Sequence, residues 1–173
     1  RMFKENIDIL IIGGGLVGLS LAKGLEDRGI SYLLVDAPMP ESAQKIVRAL
    51  ALSKSTIAIL KHLKVWSKIK SKVTPIHHIN VSCEGVMGTM NLVDDAHEFL
   101  GVVIDLDILH QALKQSLAQT DALQYGQFKT YDAVSKTVNV LIGDAMHPLH
   151  PKMIIAADGA NSSVRQACQM PIE

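Results

Sequence analysis

The chain has 173 residues, 48% of them hydrophobic, with 17 Lys and Arg balanced by 17 Asp and Glu. That length allows one domain with its own core, or one domain and part of another, and the balanced charge argues against nucleic acid as a partner and against electrostatic membrane anchoring. Cys83 and Cys168 share no metal or redox spacing and fit a reducing, cytoplasmic setting; the N-terminus carries no signal-peptide pattern, and no run approaches the ~20 apolar residues of a transmembrane helix.

Ile9 to Ile12 is a continuous apolar run that reads as a buried parallel strand. It breaks into Gly13-Gly14-Gly15 before a helical pattern from Leu16 to about Arg28, ended by Gly29. Gly13, Gly15 and Gly18 have the G-x-G-x-x-G spacing. The first glycine permits the sharp turn, the second lets a pyrophosphate approach the backbone, and the third lets helix and strand pack closely. A second strand, Ser31 to Val35, terminates in Asp36, placed about 20 residues past the glycines to accept hydrogen bonds from a ribose diol. Strand, glycine turn, helix, strand and acid together read as a dinucleotide-binding βαβ unit; the bland alternative is a βαβ unit of structural use only.

Ala37 to Val47, with Pro38 and Pro40, reads as a surface loop. Arg48 follows it, and by pattern alone an arginine there is more often solvated than bound to phosphate. A helix is expected from about Ser55 to Leu63, with Ile57, Leu60 and Leu63 on one face and Trp66 as a packing anchor beyond it. From Pro75 onward, Ile76, Ile79 and Val81, then Met87, Met90 and Leu92, suggest two short strands around Glu84-Gly85. His77 and His78, adjacent on a strand, would face opposite ways and so form no ligand pair.

Val102 to Ile104 reads as a strand feeding a helix from about Leu106 to Ala118, with Asp105 as its N-cap and Leu106, Leu109, Leu113 and Leu117 as a core stripe. Ala122 to Lys129 and Ala133 to Ile142 are expected to pair antiparallel, turning near Tyr131-Asp132. Gly143 to Pro151, with Pro148 and Pro151, favours a hairpin connection. His147 and His150 lack a third ligand, so no metal site is expected. Met153 to Ala157 reads as another buried strand, ending at Asp158-Gly159, with a serine or asparagine among Asn161, Ser162 and Ser163 capping a final short helix.

Three segments carry a family resemblance: the glycine turn with Leu-Ser-Leu-Ala and Asp36, Arg48-Ala-Leu-Ala-Leu-Ser53 with the helix end Leu63-Lys-Val-Trp66, and Ala157-Asp-Gly-Ala-Asn-Ser-Ser-Val-Arg165. In this order they resemble the flavin-dependent aromatic hydroxylases, most closely the branch acting on ubiquinone precursors (2-polyprenylphenol and 2-polyprenyl-6-methoxyphenol hydroxylases), over nearly the whole chain. The resemblance implies an α/β fold, a Rossmann-like FAD-binding βαβ domain with a parallel sheet, plus part of an antiparallel substrate-domain sheet entered by an excursion at 75–104. It implies FAD as cofactor, with NADPH or NADH as transient reductant, and a polyprenylated phenolic substrate. FAD contacts would come from Gly13, Gly15, Gly18, Asp36, Arg48, Asp158 and Gly159. No side chain is implied as catalytic acid or base, since the flavin activates oxygen and the protein supplies position and a dry pocket.

The family's lipid-tailed substrates imply peripheral contact with the inner membrane or a biosynthetic complex. Glu173 falls before the rest of the family's substrate sheet and its second flavin motif, so the chain is expected to be an N-terminal portion of the FAD-binding domain, inactive by itself, with open strand faces that a second copy could cover as a homodimer. Asp36 stands where the family more often has glutamate, and Asp107 where it usually has an arginine facing the cofactor. Two other functions share the pattern: a non-catalytic module with weak or no FAD binding, and another FAD oxidoreductase such as a polyprenyl reductase.

Overall fold

A computed structural model describes residues 7–38, 48–82, 84–85, 88–93 and 99–171. The chain divides into two units, one formed by Arg1–Gln44 with Leu113–Glu173 and the other by Lys45–Ala112.

The first unit is built on a six-stranded sheet. Its strands are β1 (Ile9–Ile12), β2 (Tyr32–Asp36), β8 (Leu123–Asp132), β9 (Thr137–Ile142), β10 (Ala145–Leu149) and β11 (Met153–Ala156), in the order β10-β9-β8-β2-β1-β11. β11, β1, β2 and β8 run parallel, and β9 and β10 add antiparallel beside β8. Flanked on both sides, β1 and β2 are apolar throughout their central positions because neither of their faces meets water.

Side chains alternate across this sheet. Leu10, Ile12, Leu33, Val35, Phe128, Val138, Val140 and Leu149 form one packed face, joined by Val164 of α5 (Ser163–Ala167). Ile11 and Leu34 point to the other face, which α1 (Leu16–Glu26) covers with its buried Leu19, Ala22 and Leu25. At the opposite end of β1 from the glycines, the Asp8 N–H donates to Ser31 Oγ at 3.0 Å and the Asp8 carboxylate pairs with Lys152 Nζ at 2.6 Å, tying β1 to both its neighbours.

The second unit contains a three-stranded antiparallel sheet, β3 (Ala49–Ser53), β7 (Gly101–Asp105) and β4 (Thr74–Ile76) in the order β3-β7-β4, and the hairpin of β5 (His78–Ser82) with β6 (Thr89–Val93). Its helices are α2 (Lys54–His62), the short α3 (Trp66–Ile69) and α4 (Leu106–Lys114), which leads the chain back to the first unit. The Ser53 hydroxyl caps α2 by accepting from the Thr56 N–H at 3.2 Å, and the Asp105 carboxylate accepts from the Asp107 N–H at 2.8 Å at the start of α4.

Several sequence expectations need correction. Ala49–Ser53, to which the sequence pattern assigns no element, is a strand. His77 lies between β4 and β5, so it and His78 do not share a strand. The helix expected to run to Ala118 ends at Lys114; Glu26 accepts backbone N–H bonds from Ala118 at 3.0 Å and Gln119 at 2.7 Å and so holds the chain beyond it. The β8–β9 turn falls at Ala133–Lys136, with Lys136 at φ 54°, and β11 is half-exposed, since nothing among the described residues pairs beyond it. The hairpin expected at Gly143 is present: Gly143, at φ 58°, takes the first central position of the β9–β10 turn, and Pro148 sits on the edge strand β10, where no ladder donor is needed.

Candidate functional site

The carboxyl ends of β1, β2 and β11 meet at one edge of the first unit's sheet, where β8 runs on past the end of β2. The β1-to-β2 connection runs to one side of β1 and β11 lies on the other, which is where an open parallel sheet forms a ligand crevice. A cleft of about 330 Å³ lies there, lined by Ile12 and Gly13, by Val35, Asp36 and Ala37, by Gly126, Gln127 and Phe128, and by Asp158 and Ser163.

Each fingerprint glycine meets a different constraint. Gly13 lies at φ 108°, and a Cβ there would come 2.4 Å from the Ala157 carbonyl oxygen, so the glycine turn and the end of β11 are in backbone contact. A Cβ on Gly18 would fall 2.0 Å from the Gly13 carbonyl oxygen, which makes it the close-packing glycine of helix and strand. At Gly15 an added Cβ meets nothing within 4 Å. That open side is what approach of a ligand to the backbone requires.

Gly15 is also the N-cap of α1, and it supplies no side-chain hydrogen bond; the helix has no acidic residue in its first turn. Ser53 and Asp105 cap the other two described helices of nine residues or more. α1 therefore starts without a side-chain cap, and no heavy atom stands within 4 Å of where a Gly15 Cβ would be. An uncapped helix start suits a negative charge, with the dipole adding about 0.3–1 kcal/mol for a nearby one.

Asp36 ends β2 with Oδ1 accepting from the Gly14 N–H at 2.7 Å. Asp158, just past β11, divides its carboxylate. Oδ2 accepts from the Ser163 N–H at 2.8 Å and its hydroxyl at 3.1 Å, while Oδ1 is buried without a partner. Burial pushes this carboxyl up, but the Ser163 hydrogen bonds and the neighbouring Ser162 hydroxyl outweigh it and hold Asp158 below its ordinary value. An ionised carboxylate oxygen buried at the rim of a cleft without a protein donor is an acceptor for a ligand hydroxyl or N–H. Gly159 follows at φ 82°, turning the chain toward α5, which the Ser162 hydroxyl caps by accepting from Arg165 N–H at 3.1 Å.

Phosphates suit an uncapped helix start beside an open glycine, and hydroxyls suit carboxylates such as those of Asp36 and Asp158. Gly13, Gly15, Gly18, Asp36, Asp158 and Gly159 lie in the first unit. Arg48 lies in the second, exposed, with its carbonyl accepting from the Leu106 N–H at 2.9 Å. Sequence reasoning missed Gly14, Gly126, Gln127 and Phe128. An isolated glycine inside an alternating strand signalled Gly126: a Cβ there would strike the Leu141 carbonyl oxygen at 2.4 Å. Among the described residues no group of three or more His, Cys, Asp or Glu could hold a metal, and no helix is long and apolar enough to cross a membrane.

A family model described as FAD binding domain matches residues 6–173. The chain belongs to this family of FAD-dependent monooxygenases. The Escherichia coli 3-demethoxyubiquinol 3-hydroxylase is 30% identical over 176 residues, an alignment covering 95% of this chain and 44% of that protein. The crystal structure of p-nitrophenol 4-monooxygenase PnpA from Pseudomonas putida superposes with a TM-score of 0.79 at 19% identity, covering 98% of this chain and 45% of that one. The flavin-dependent monooxygenase PieE, solved in complex with FAD and substrate, superposes with a TM-score of 0.75 at 19% identity, covering 97% and 33%. The chain thus spans less than half the length of these curated relatives, and the expected mixed α/β architecture is the one observed.

Proposed function

We propose that this chain is the FAD-binding portion of an NAD(P)H-dependent monooxygenase that hydroxylates the aromatic ring of a ubiquinone precursor. The observation that carries the reading is the uncapped start of α1 at the open Gly15, in the same unit as a cleft lined by Gly13 and the carboxylates of Asp36 and Asp158. The ubiquinone branch is supported by the likeness to the Escherichia coli hydroxylase and by the three motif segments.

In this reading Gly15 and the first N–H groups of α1 hold the cofactor pyrophosphate. Asp36 accepts from a ribose hydroxyl, Asp158 Oδ1 accepts from a donor on the cofactor, and Arg48 adds a cationic contact. Bound FAD supplies the redox chemistry: with NADPH or NADH as reductant, one oxygen atom of dioxygen enters the ring and the other leaves as water. The apolar floor of Ile12, Val35 and Phe128 keeps water from the bound ligand.

Titration of the protein with FAD, followed by visible absorption, tests the reading. Saturable binding in the micromolar range, about −8 kcal/mol, is expected; a colourless protein that takes up no FAD overturns it. The second reading, a module that does not hold FAD, is favoured by Asp107: a carboxylate stands in the first turn of α4 where the family resemblance implies an arginine. Oxygen uptake dependent on a polyprenylated phenol separates a hydroxylase from a reductase of the same fold.

A further inference from the structure

The segment that follows β11 carries two adjacent serines, and the fold separates their roles. Ser162 is buried, and its hydroxyl caps α5 by accepting from the Arg165 N–H at 3.1 Å. Ser163, the first residue of α5, is exposed. With the cap already supplied, the helix makes no demand on the Ser163 side chain, and alanine would suit an exposed helical position as well or better. The Ser163 hydroxyl nevertheless turns back five residues to donate to Asp158 Oδ2 at 3.1 Å.

At that oxygen the Ser163 N–H donates at 2.8 Å and the Val164 N–H at 3.5 Å. Both are backbone donors that other residues at 163 and 164 would supply equally, so tying Asp158 to the start of α5 needs no hydroxyl. What the hydroxyl adds is a second donor from Ser163 on the same oxygen. The terminal torsion of an aspartate is broad and roughly two-fold, and filling Oδ2 from two directions fixes which oxygen stays unclaimed. That oxygen is Oδ1, buried without a partner, and Ser163 lines the same cleft as Asp158.

We propose that Ser163 is a positioning residue that acts through Asp158: its hydroxyl holds Oδ2 to α5 and so keeps Oδ1 as the acceptor that the cofactor meets. The charge state of the carboxylate agrees with this hold, since burial raises the carboxyl while serine hydroxyls and backbone N–H groups lower it to a net position below its ordinary value. Of the charged side chains on the surrounding elements, Asp36 lines the cleft from the end of β2, and the Arg165 guanidinium of α5 donates to the Ala160 carbonyl at 2.9 Å. Neither is among the causes that move the Asp158 carboxyl. Ser162 also lowers it, but replacing Ser162 would uncap α5, so position 163 is where the effect on Asp158 can be read with the helix intact.

The proposal rests on the cofactor reading, and its test separates the two. In the ligand-free protein, NMR titration of the Asp158 carboxyl carbon reads the hold directly: S163A should titrate at higher pH than wild type, and S163T, which keeps the hydroxyl, should titrate with wild type. FAD titration reads the consequence. S163A should bind FAD about tenfold more weakly than wild type and S163T within about twofold of it, and S163A should make no further difference in a D158N background, all with the wild-type circular dichroism spectrum. A serine that served only the fold would weaken the D158N protein as much as the wild type. Equal FAD uptake by wild type and S163A, an Asp158 titration that S163A leaves in place, or an equal effect of S163A in the D158N background would each overturn the proposal and leave the cofactor reading standing. A wild type that takes up no FAD overturns both.

Discussion

The Gly14 N–H donates to Asp36 Oδ1 at 2.7 Å, and a Cβ built on Gly14 would lie 2.5 Å from the other carboxylate oxygen. The middle glycine of the turn, a free position in the fingerprint spacing, is thus the one that seats the acid. Gly14→Ala should displace the Asp36 carboxylate and lower FAD affinity by about tenfold or more. Titration of the variant beside wild type checks this; unchanged affinity would mean that Asp36 does not hold the ligand from its observed position.

Gly15 and Gly18 should separate binding from folding. Gly15 has extended backbone at φ −70° and space where a Cβ would stand, so Gly15→Ala should change stability by no more than about 0.5 kcal/mol while weakening FAD binding. Gly18→Ala drives a Cβ into a backbone carbonyl that cannot swing away and should cost about 3 kcal/mol of stability. Urea unfolding of the ligand-free variants reads the second effect, FAD titration the first.

Asp158 links the site to acid stability. Its carboxyl titrates below the ordinary 3.8 in the folded chain, so on unfolding in acid the group takes up a proton. Its contribution is present above the unfolded value and is lost as pH falls through the folded one. Asp158→Asn should therefore flatten the loss of stability below about pH 4, measured by urea unfolding across that range.

Tyr32 is buried on β2 with its hydroxyl unpartnered, and burial, then the nearby Glu26 carboxylate, push its phenol up to about 12. The folded chain resists ionisation that the unfolded chain accepts near 10.0. The stability contributed by this shift is full below that pH and disappears as pH rises toward the folded value. Tyr32→Phe removes an unsatisfied hydroxyl and should raise neutral-pH stability by up to about 1 kcal/mol. It should also reduce the alkaline loss; unfolding at pH 7 and in alkali checks both.

Lys64, just past α2, lies at φ 59°, so Lys64→Gly should raise stability by about 1 kcal/mol by relieving the left-handed Cβ contact, read as an increase in Tm. An unchanged or lower Tm would show that the αL position is not strained.

The β1–α1–β2 unit was legible because its information is local. The strand run, the turn glycines and the terminal acid sit within one stretch of chain, and each residue's backbone demand can be read from its neighbours. Asp158-Gly159 became legible only through the family resemblance, since by itself it reads as a strand-end turn. The sequence by itself therefore determined the α/β class, the dinucleotide fingerprint and the family. Tertiary structure decided the remainder: that Gly13 touches Ala157 across most of the chain, that Gly14 seats Asp36, that β8 supplies a wall of the cleft through Gly126, and that Asp158 keeps one oxygen unpartnered. These are distances between strands remote in sequence, set by sheet order and by hydrogen bonds that no local pattern encodes.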